Sequence, residues 1–331
     1  MFKRIVIGPV IIGVLCSLLS SSTALARSED EGARLFNEAE TLRKTAQSDS
    51  DLQQAVHKYQ QALVIFEQGR FPRGIGVISN ALGNIFSNWG QYNEALDHYN
   101  RALAVFRDLG DREGEGFVLN NLGTVYQVLG QDDHAVECYE KALIIYREIK
   151  ERKQEGKTLM NLGSVFQIRG QYGNAVKYYE KSLAVARELK DQLGEGKALN
   201  NLGLVFAGWS QYDSAVEHFE KYLAVARELK DRPGEGQALN NLGLVFEDWG
   251  RYDKALEYYN KSLTIKRDFK DRRAEAGTLN NLGNVYMAWG YYDKALEYYK
   301  KSLEAVAKPH RHFVNVIMTQ ATWKKATNML I

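Results

Sequence analysis

The chain contains little of what crosslinks or interrupts many folded proteins. Among its 331 residues there are two cysteines and four prolines. Two cysteines cannot form a disulfide framework, and so few prolines leave no proline-rich linker. The 43 basic and 41 acidic residues nearly balance, at a net charge of +2. Nucleic-acid binding usually needs a clustered basic surface, so we expect no nucleic-acid partner.

The chain has one long hydrophobic run, and it lies at the N-terminus. A short basic start, MFKR, precedes IVIGPVIIGVLCSLL, and the segment SSSTALA that follows ends in Ala-x-Ala. This layout is typical of a secretory signal peptide and predicts one over residues 1–26, with cleavage after Ala26. The alternative, an uncleaved membrane anchor, is disfavoured because the run is shorter than the roughly 20 residues that span a bilayer. We therefore expect an exported protein, periplasmic or secreted, without a stable membrane span after cleavage.

An internal repeat of 40 residues organises most of the chain. The stretch LNNLG occurs at 119–123, 199–203, 239–243 and 279–283, with looser copies at 79–83 and 159–163. Twelve residues after each glycine stands alanine, and four further on stands an aromatic residue. A weaker unit precedes these six, with Arg43 in place of the glycine. The pattern predicts an atypical capping repeat over 27–75, six regular units over 76–308, and a non-repeat tail or capping helix over 309–331.

Residues 196–231 show what one unit contains. Leu199, Leu202 and Phe206 recur at helical spacing and predict one amphipathic helix, and a second stripe begins at Ala215. Between the stripes stands SQYD, in which Asp213 is a candidate N-cap. Each unit is therefore predicted to be two antiparallel helices, which must stack on neighbouring units to bury both stripes.

The spacing L-x2-L-G-x2-[FY] … A-x3-[FY] resembles the tetratricopeptide repeat (TPR) pattern. More narrowly, the repeat is similar to the 40-residue TPRs of kinesin light chains and of Pins/LGN-type polarity scaffolds. It also resembles the repeats that precede a CHAT peptidase domain in secreted bacterial proteins. The resemblance implies an all-α TPR solenoid of about seven antiparallel helix pairs forming a right-handed superhelix.

The paired asparagines are the candidate binding residues. In TPR arrays the first helix of each pair lines the inner wall, and an amide offers one acceptor and two donors to a peptide backbone. The residues resemble the asparagine ladders of kinesin light chain and of peptide-sensing TPR proteins. The groove candidates are Asn80, Asn120, Asn121, Asn161, Asn200, Asn201, Asn240, Asn241, Asn280, Asn281, Lys157 and Lys197.

A structural role for these amides is the alternative interpretation, in which they bond to the backbone or to the next repeat. Helical spacing places neither asparagine of a pair on the packed stripe. If the amides face an open groove, alanine at Asn200, Asn240 and Asn280 is expected to keep or raise stability and to weaken binding. If they join repeats, the same changes should lower stability.

We expect no catalytic activity, no cofactor and no metal. The sequence has no phosphate-binding loop, no cluster of metal ligands and no G-x-S-x-G motif. The most consistent function is a scaffold or adaptor that binds a protein or an extended peptide segment. One alternative is the recognition subunit of a CHAT-like peptidase system whose catalytic part is a separate chain. Another is a peptide sensor.

The signal layout makes the first testable prediction. Protein isolated from its native cell should begin at Arg27 and lie outside the cytoplasm, because Ala-x-Ala is the expected cleavage site. Intact-mass measurement of the purified protein checks this. Recovery of the full-length chain from the soluble cytoplasmic fraction would contradict it.

Overall fold

The computed structural model describes residues 28–306. The predicted signal peptide and the predicted C-terminal tail lie outside the described residues. The described part folds into fourteen helices, the number that seven pairs require. They are α1 (28–45), α2 (Asp49–Gly69), α3 (Pro72–Asn88), α4 (Tyr92–Asp108), α5 (Arg112–Val128), α6 (Asp132–Glu148), α7 (Arg152–Ile168), α8 (Tyr172–Glu188), α9 (Gln192–Gly208), α10 (Tyr212–Glu228), α11 (Arg232–Asp248), α12 (Tyr252–Asp268), α13 (Arg272–Ala288) and α14 (Tyr292–Val306).

The chain divides into two compact units, each made of several 40-residue repeats. The first unit extends up to Val165 and the second begins at Phe166. In the first unit, α2 to α6 each pack against the helix that follows or precedes them in sequence. In the second unit, the same holds from α8 to α14. The first helices of successive pairs also touch, α3 with α5, α9 with α11 and α11 with α13. The all-α fold of stacked, antiparallel helix pairs predicted from the repeats is confirmed.

Three-residue turns set the regular 20-residue helix spacing. After α3, Gly90 adopts a positive φ of 74°. The backbone N–H of Gln91 then donates to Phe86 O at 2.9 Å, and that of Gly90 donates to Ser87 O at 3.0 Å. This is the Schellman arrangement, which satisfies carbonyls left open at a helix end. The turn needs a left-handed residue but not always glycine, since Ser210 has a φ of 57°.

The predicted N-cap at Asp213 is wrong. The turn before α10 ends at Gln211, so the helix begins at Tyr212 and Asp213 lies inside its first turn. Side-chain caps occur instead where one unit passes to the next. Asp231, for example, accepts from Gly234 N at 3.0 Å and caps α11. The same cap is formed by Asp111, Asp191 and Asp271.

The spacing of glycine and aromatic residue that recurs in each repeat brings the two helices of a pair into close contact. A Cβ atom added to Gly243 would lie 2.6 Å from the ring of Tyr259, which is fully buried. A real Cβ does not approach a ring atom so closely. The missing side chain therefore makes room for the ring. The same contact joins Gly83 to Tyr99, Gly123 to Tyr139, Gly203 to Phe219, and Gly283 to Tyr299.

A second repeated contact, which was not predicted from the sequence, joins one repeat to the next through ion pairs between side chains. Glu235 at the start of α11 accepts from Arg227 at 2.9 Å and from Arg232 at 2.5 Å. Burial acts to raise the pKa of Glu235, but hydrogen bonds from the two guanidinium groups lower it overall. The signal that carried this carboxylate is a glutamate four residues before the first leucine of each LNNLG, within GEG in three of the four copies and within AEA in the fourth. Corresponding pairs are Arg107–Glu115, Arg147–Glu155, Arg187–Glu195 and Arg267–Glu275.

The tryptophans pack between repeats, as the continued apolar stripe indicates. The ring of Trp249 stacks on Tyr212 with centroids 5.7 Å apart. The rings of Trp289 and Tyr252 have centroids 5.9 Å apart and are tilted by 42°. In each case the tryptophan follows the first helix of one repeat, and the tyrosine begins the second helix of the preceding repeat. These aromatic residues therefore join repeats rather than form a separate binding ladder.

The glycine contact generates a stability prediction with an internal control. Gly243→Ala should lower the urea midpoint, because overpacking against Tyr259 costs about 1–3 kcal/mol. That cost exceeds the roughly 0.5–1 kcal/mol that alanine returns in a helix. Gly277→Ala in α13 should raise the midpoint, since nothing lies within 4 Å of the added Cβ. Equal midpoint shifts in the two variants would contradict the close-contact interpretation.

Candidate peptide-binding face

The first helices of the pairs expose one face beside their buried stripe. On α9, Lys197 and Leu204 are exposed, and on α11 the corresponding residues Gln237 and Leu244 are exposed too. Between them on each helix stand the paired asparagines. We call this surface the first-helix face, and each of the two units presents its own part of it.

The asparagines of successive repeats bond to one another. In the second unit, Asn241 Nδ2 donates to Asn200 Oδ1 at 2.8 Å, and Asn281 Nδ2 donates to Asn240 Oδ1 at 3.5 Å. The first unit has the same arrangement. There Asn121 donates to Asn80 at 3.0 Å, and Asn161 donates to Asn120 at 3.2 Å. In these four bonds the second residue of the Asn-Asn motif bonds back to the first residue of the motif one repeat earlier, and we call this series the amide ladder; Asn201 takes no part in it, because Met160 stands at the position that would accept.

The ladder buries some of these side chains, which the sequence analysis did not predict. Only 9% of Asn200 and 8% of Asn241 are exposed. On a single helix these amides lie beside the packed stripe and would be exposed. In the stacked repeats, the first helix of the neighbouring repeat covers them. Asn80, Asn120, Asn161 and Asn240 are half-buried, and so is Asn201. Lys157, Lys197 and Asn280 are exposed. For Asn200 this burial favours the second expectation, that alanine lowers stability.

Each ladder bond leaves amide capacity unused. Asn120 Oδ1 accepts from Asn161 Nδ2 and from Thr158 Oγ1, both at 3.2 Å. The Nδ2 of Asn120 and the Oδ1 of Asn161 have no hydrogen-bond partner within residues 28–306. An amide held at one end and open at the other is already oriented for a ligand. The structural and ligand-binding interpretations are thus compatible in geometry.

Neighbouring polar groups on this face are held by the buried tyrosines. Tyr139 Oη donates to Gln127 Oε1 at 3.2 Å, and Tyr179 Oη donates to Gln167 Oε1 at 2.9 Å. In the fifth regular unit, Tyr259 Oη donates to Glu247 Oε2 at 2.7 Å. Burial raises the pKa of Glu247, and the hydrogen bond from Tyr259 acts in the opposite direction. The glycine–tyrosine contact therefore also fixes polar side chains that border the asparagines.

Lys266 lies against the ladder in the second unit, a placement that was not predicted from the sequence. Its Nζ donates to Thr278 Oγ1 at 2.6 Å and to Asn240 Oδ1 at 3.3 Å. The signal was a departure in the 40-residue pattern. The same position holds Phe66, Phe106 and Tyr146 in three earlier repeats and Ala186 and Ala226 in the two that precede Lys266, all of them buried.

Within the described range, no group of three or more His, Cys, Asp and Glu side chains is arranged to hold a metal ion. The thiol of Cys138 is half-buried, and burial raises its pKa to about 11. A thiol with that pKa is almost fully protonated at neutral pH and is a poor nucleophile. Among the same residues, no helix is both long and apolar enough to cross a bilayer.

The sequence matches the tetratricopeptide repeat family over residues 74–148, 154–228, 223–268 and 234–308. A search of curated proteins found no match. Among solved structures, the apo form of RapI is similar at 18% identity and a TM-score of 0.66, with 83% of this chain and 97% of that chain covered.

Two further structures relate to the sequence resemblance. A putative kinesin light chain with nearly identical TPR-like repeats, from Podospora anserina, is similar at 20% identity and a TM-score of 0.51, covering 58% of this chain and 95% of that chain. A Rap protein complexed with Competence and Sporulation Factor is similar at 15% identity and a TM-score of 0.54, covering 86% and 98%. At these identities the likeness shows the fold alone.

The ladder generates a prediction about stability. Asn200→Ala should lower the free energy of unfolding by roughly 0.5–2 kcal/mol, because the buried Nδ2 of Asn241 loses its acceptor at a cost of about 1–3 kcal/mol. Better helix propensity offsets about 0.5–0.7 kcal/mol of that. Asn280→Ala is the matched control at an exposed site and should be neutral or slightly stabilising. Urea denaturation of both variants measures the difference.

A double variant makes the ladder prediction specific. If the bond between Asn200 and Asn241 is the cause, Asn241→Ala in the Asn200→Ala background should cost less than Asn241→Ala alone. Strictly additive losses would show that the two amides act independently and would rule out the ladder as the origin of the effect.

Proposed function

Because the chain belongs to the tetratricopeptide repeat family, we propose that it is a non-catalytic adaptor that binds a protein or an extended peptide segment on the first-helix face. The observation that carries this proposal is the amide ladder. Its amides are held at one end by the neighbouring repeat and keep donors and acceptors open at the other.

Backbone recognition is the chemistry that such amides suit. An extended peptide presents an N–H donor and a C=O acceptor at each residue. Amides at regular intervals can bond to these groups whatever the side chains of the peptide are. Because the ladder already fixes the asparagine rotamers, binding loses less side-chain entropy than it would with free amides.

Apolar side chains beside the asparagines would add affinity. Leu204 and Leu244 are each 37% exposed, and Val77, which aligns with Lys197 in the repeat, is exposed in the first unit. Together with the exposed lysines Lys157 and Lys197, they make a mixed surface with both apolar and cationic contacts. Such a surface fits a peptide that carries apolar and acidic residues.

A peptide sensor is a second candidate function. It is favoured by the likeness of the fold to a Rap protein whose structure contains Competence and Sporulation Factor. A sensor would change its conformation when the peptide binds, whereas an adaptor would keep it. Small-angle X-ray scattering of the free protein and of its peptide complex distinguishes the two. We further propose that the adaptor acts outside the cytoplasm, on the layout of residues 1–26.

The adaptor proposal is tested by separating the two ends of one amide. A displayed library of random peptides is first selected on the chain without residues 1–26, and the tightest peptide becomes the probe. Asn120→Asp keeps the oxygen that accepts from Thr158 and Asn161 but replaces the open Nδ2 donor. Folding stability should be preserved, and peptide affinity should fall by about threefold to tenfold, as expected for the loss of one hydrogen bond.

Two control variants accompany that measurement. Asn100→Asp adds the same charge at an exposed site on α4 and should leave affinity unchanged. Asn161→Asp removes the donor of the ladder bond and should lower the thermal midpoint. Unchanged affinity in Asn120→Asp, measured by isothermal titration on a fully folded sample, would contradict backbone recognition by this column.

A further inference from the structure

A cavity of about 500 Å³ opens beside the ladder in the second unit. Its walls come from the start of α11, the end of α12 and the start of α13. Pro233, Ile265, Phe269 and Ala274 make it largely apolar, and Lys266 and Asn240 place polar groups in it. Asn240 belongs both to this cavity and to the ladder, so the cavity adjoins the first-helix face.

Its position within the repeat explains why the space is open. In α2, α4 and α6 the residue aligned with Lys266 is aromatic, and its ring packs in the gap between repeats; in α8 the aligned residue is Ala186. Phe106, for example, packs against Gly76, with an added Cβ only 3.0 Å from the ring. In α10 the aligned residue is Ala226, but Tyr222 one turn earlier takes the place of the ring and approaches Gly196. In α12 the equivalent residues are Ser262 and Lys266, and neither fills the gap.

The lysine in this gap is incompletely satisfied. Its Nζ donates to two neutral oxygens, Thr278 Oγ1 and Asn240 Oδ1. An ammonium has three protons, and no carboxylate within residues 28–306 lies within 4 Å of this one. Burial lowers the pKa of Lys266, and Asp271 acts in the opposite direction. A half-buried cation without an anionic partner is costly, and an incoming anion would stabilise it.

Asp271 is the one acidic residue of the cavity wall, and its carboxylate is already engaged. It accepts from Ala274 N at 3.0 Å as the N-cap of α13, where the helix dipole favours negative charge. The neighbouring sequence is cationic, since Lys270, Arg272 and Arg273 flank Asp271. Across residues 266–275 five basic side chains stand against three acidic ones, so this segment carries a net positive charge.

We propose that this cavity binds a carboxylate carried on an apolar stem, namely an acidic side chain or the C-terminus of the peptide that lies on the first-helix face. The proposal rests on the proposed function for the identity of the ligand. A carboxylate fits better than a phosphate, because phosphate sites commonly gather several cations or backbone N–H groups. Here one ammonium and one amide stand at the end of an apolar cavity.

Small probes test the cavity without requiring the peptide. N-acetyl-glutamate amide supplies a side-chain carboxylate, N-acetyl-glutamine amide is its neutral match, and N-acetyl-leucine supplies a terminal carboxylate. Each is titrated into the chain without residues 1–26, labelled with ¹³C at the lysine ε-carbons. The Lys266 signal is assigned by its absence in Lys266→Met. At least one carboxylate probe should shift that signal and bind about tenfold or more tightly than the glutamine compound.

Two variants of Lys266 keep the test independent of folding. Lys266→Met retains the stem and removes the charge, whereas Lys266→Phe fills the cavity as Phe106 does in its own repeat. Both should lose carboxylate binding by about tenfold or more. Lys261→Met, at an exposed lysine of the same helix, should not. A response to N-acetyl-leucine alone identifies the terminal carboxylate as the ligand, and a response to the glutamate compound alone identifies the side chain.

Three outcomes would overturn the proposal. They are binding of neither carboxylate probe more tightly than the glutamine compound, unchanged carboxylate binding in folded Lys266→Met, and no shift of the Lys266 signal at the solubility limit of the carboxylate probes. These outcomes are distinct from failure of the adaptor function. A peptide selection that yields no binder would refute the adaptor function even if the carboxylate probes bind at Lys266.

Discussion

In five of the regular repeats, the packing of the two helices depends on the close approach of a glycine backbone to an aromatic ring. The ring of Tyr259 occupies the space that a side chain at Gly243 would need, and it is thereby fully buried. This contact sets the distance between the two helices of a pair. The same contact places the hydroxyl of Tyr259 at the first-helix face, where the hydroxyl donates to Glu247. One packing constraint therefore determines both the core and part of the surface that we propose binds peptide.

The amide ladder shows how one side chain can serve stability and recognition together. A helix interior disfavours asparagine, because its amide competes for backbone hydrogen bonds. In this chain the amide bonds to the next repeat instead, as Asn241 does to Asn200. The propensity cost is offset by a contact between repeats, and the groups left open are oriented by it. Had the amides been fully satisfied, they would have been structural only. Had they been fully free, they would have lost more entropy on binding.

Residues that depart from the repeat pattern make the surface of one repeat differ from that of another. A solenoid of identical units would present the same surface at every repeat, with nothing to set the register of a bound segment. Tyr222 with Ala226 preserves the filled gap by exchanging sizes between two positions one turn apart. Ser262 with Lys266 does not fill it, and a cavity with a cation results. Lys266 therefore gives one repeat of the second unit a surface that its neighbours lack, at the point where Lys266 meets Asn240.

The sequence by itself determined the helices and their pairing, because these follow from local periodicity and from spacing repeated six times. It also located the asparagines on the flank of each first helix, since 100° per residue suffices for that. It misplaced the cap at Asp213, because the exact residue at which a turn ends depends on backbone hydrogen bonds. Only the tertiary structure decided that Asn200 is buried, that its acceptor is used by Asn241, and that Lys266 borders a cavity. Each of these depends on how closely two helices 40 residues apart approach, and no pattern within one helix contains that distance.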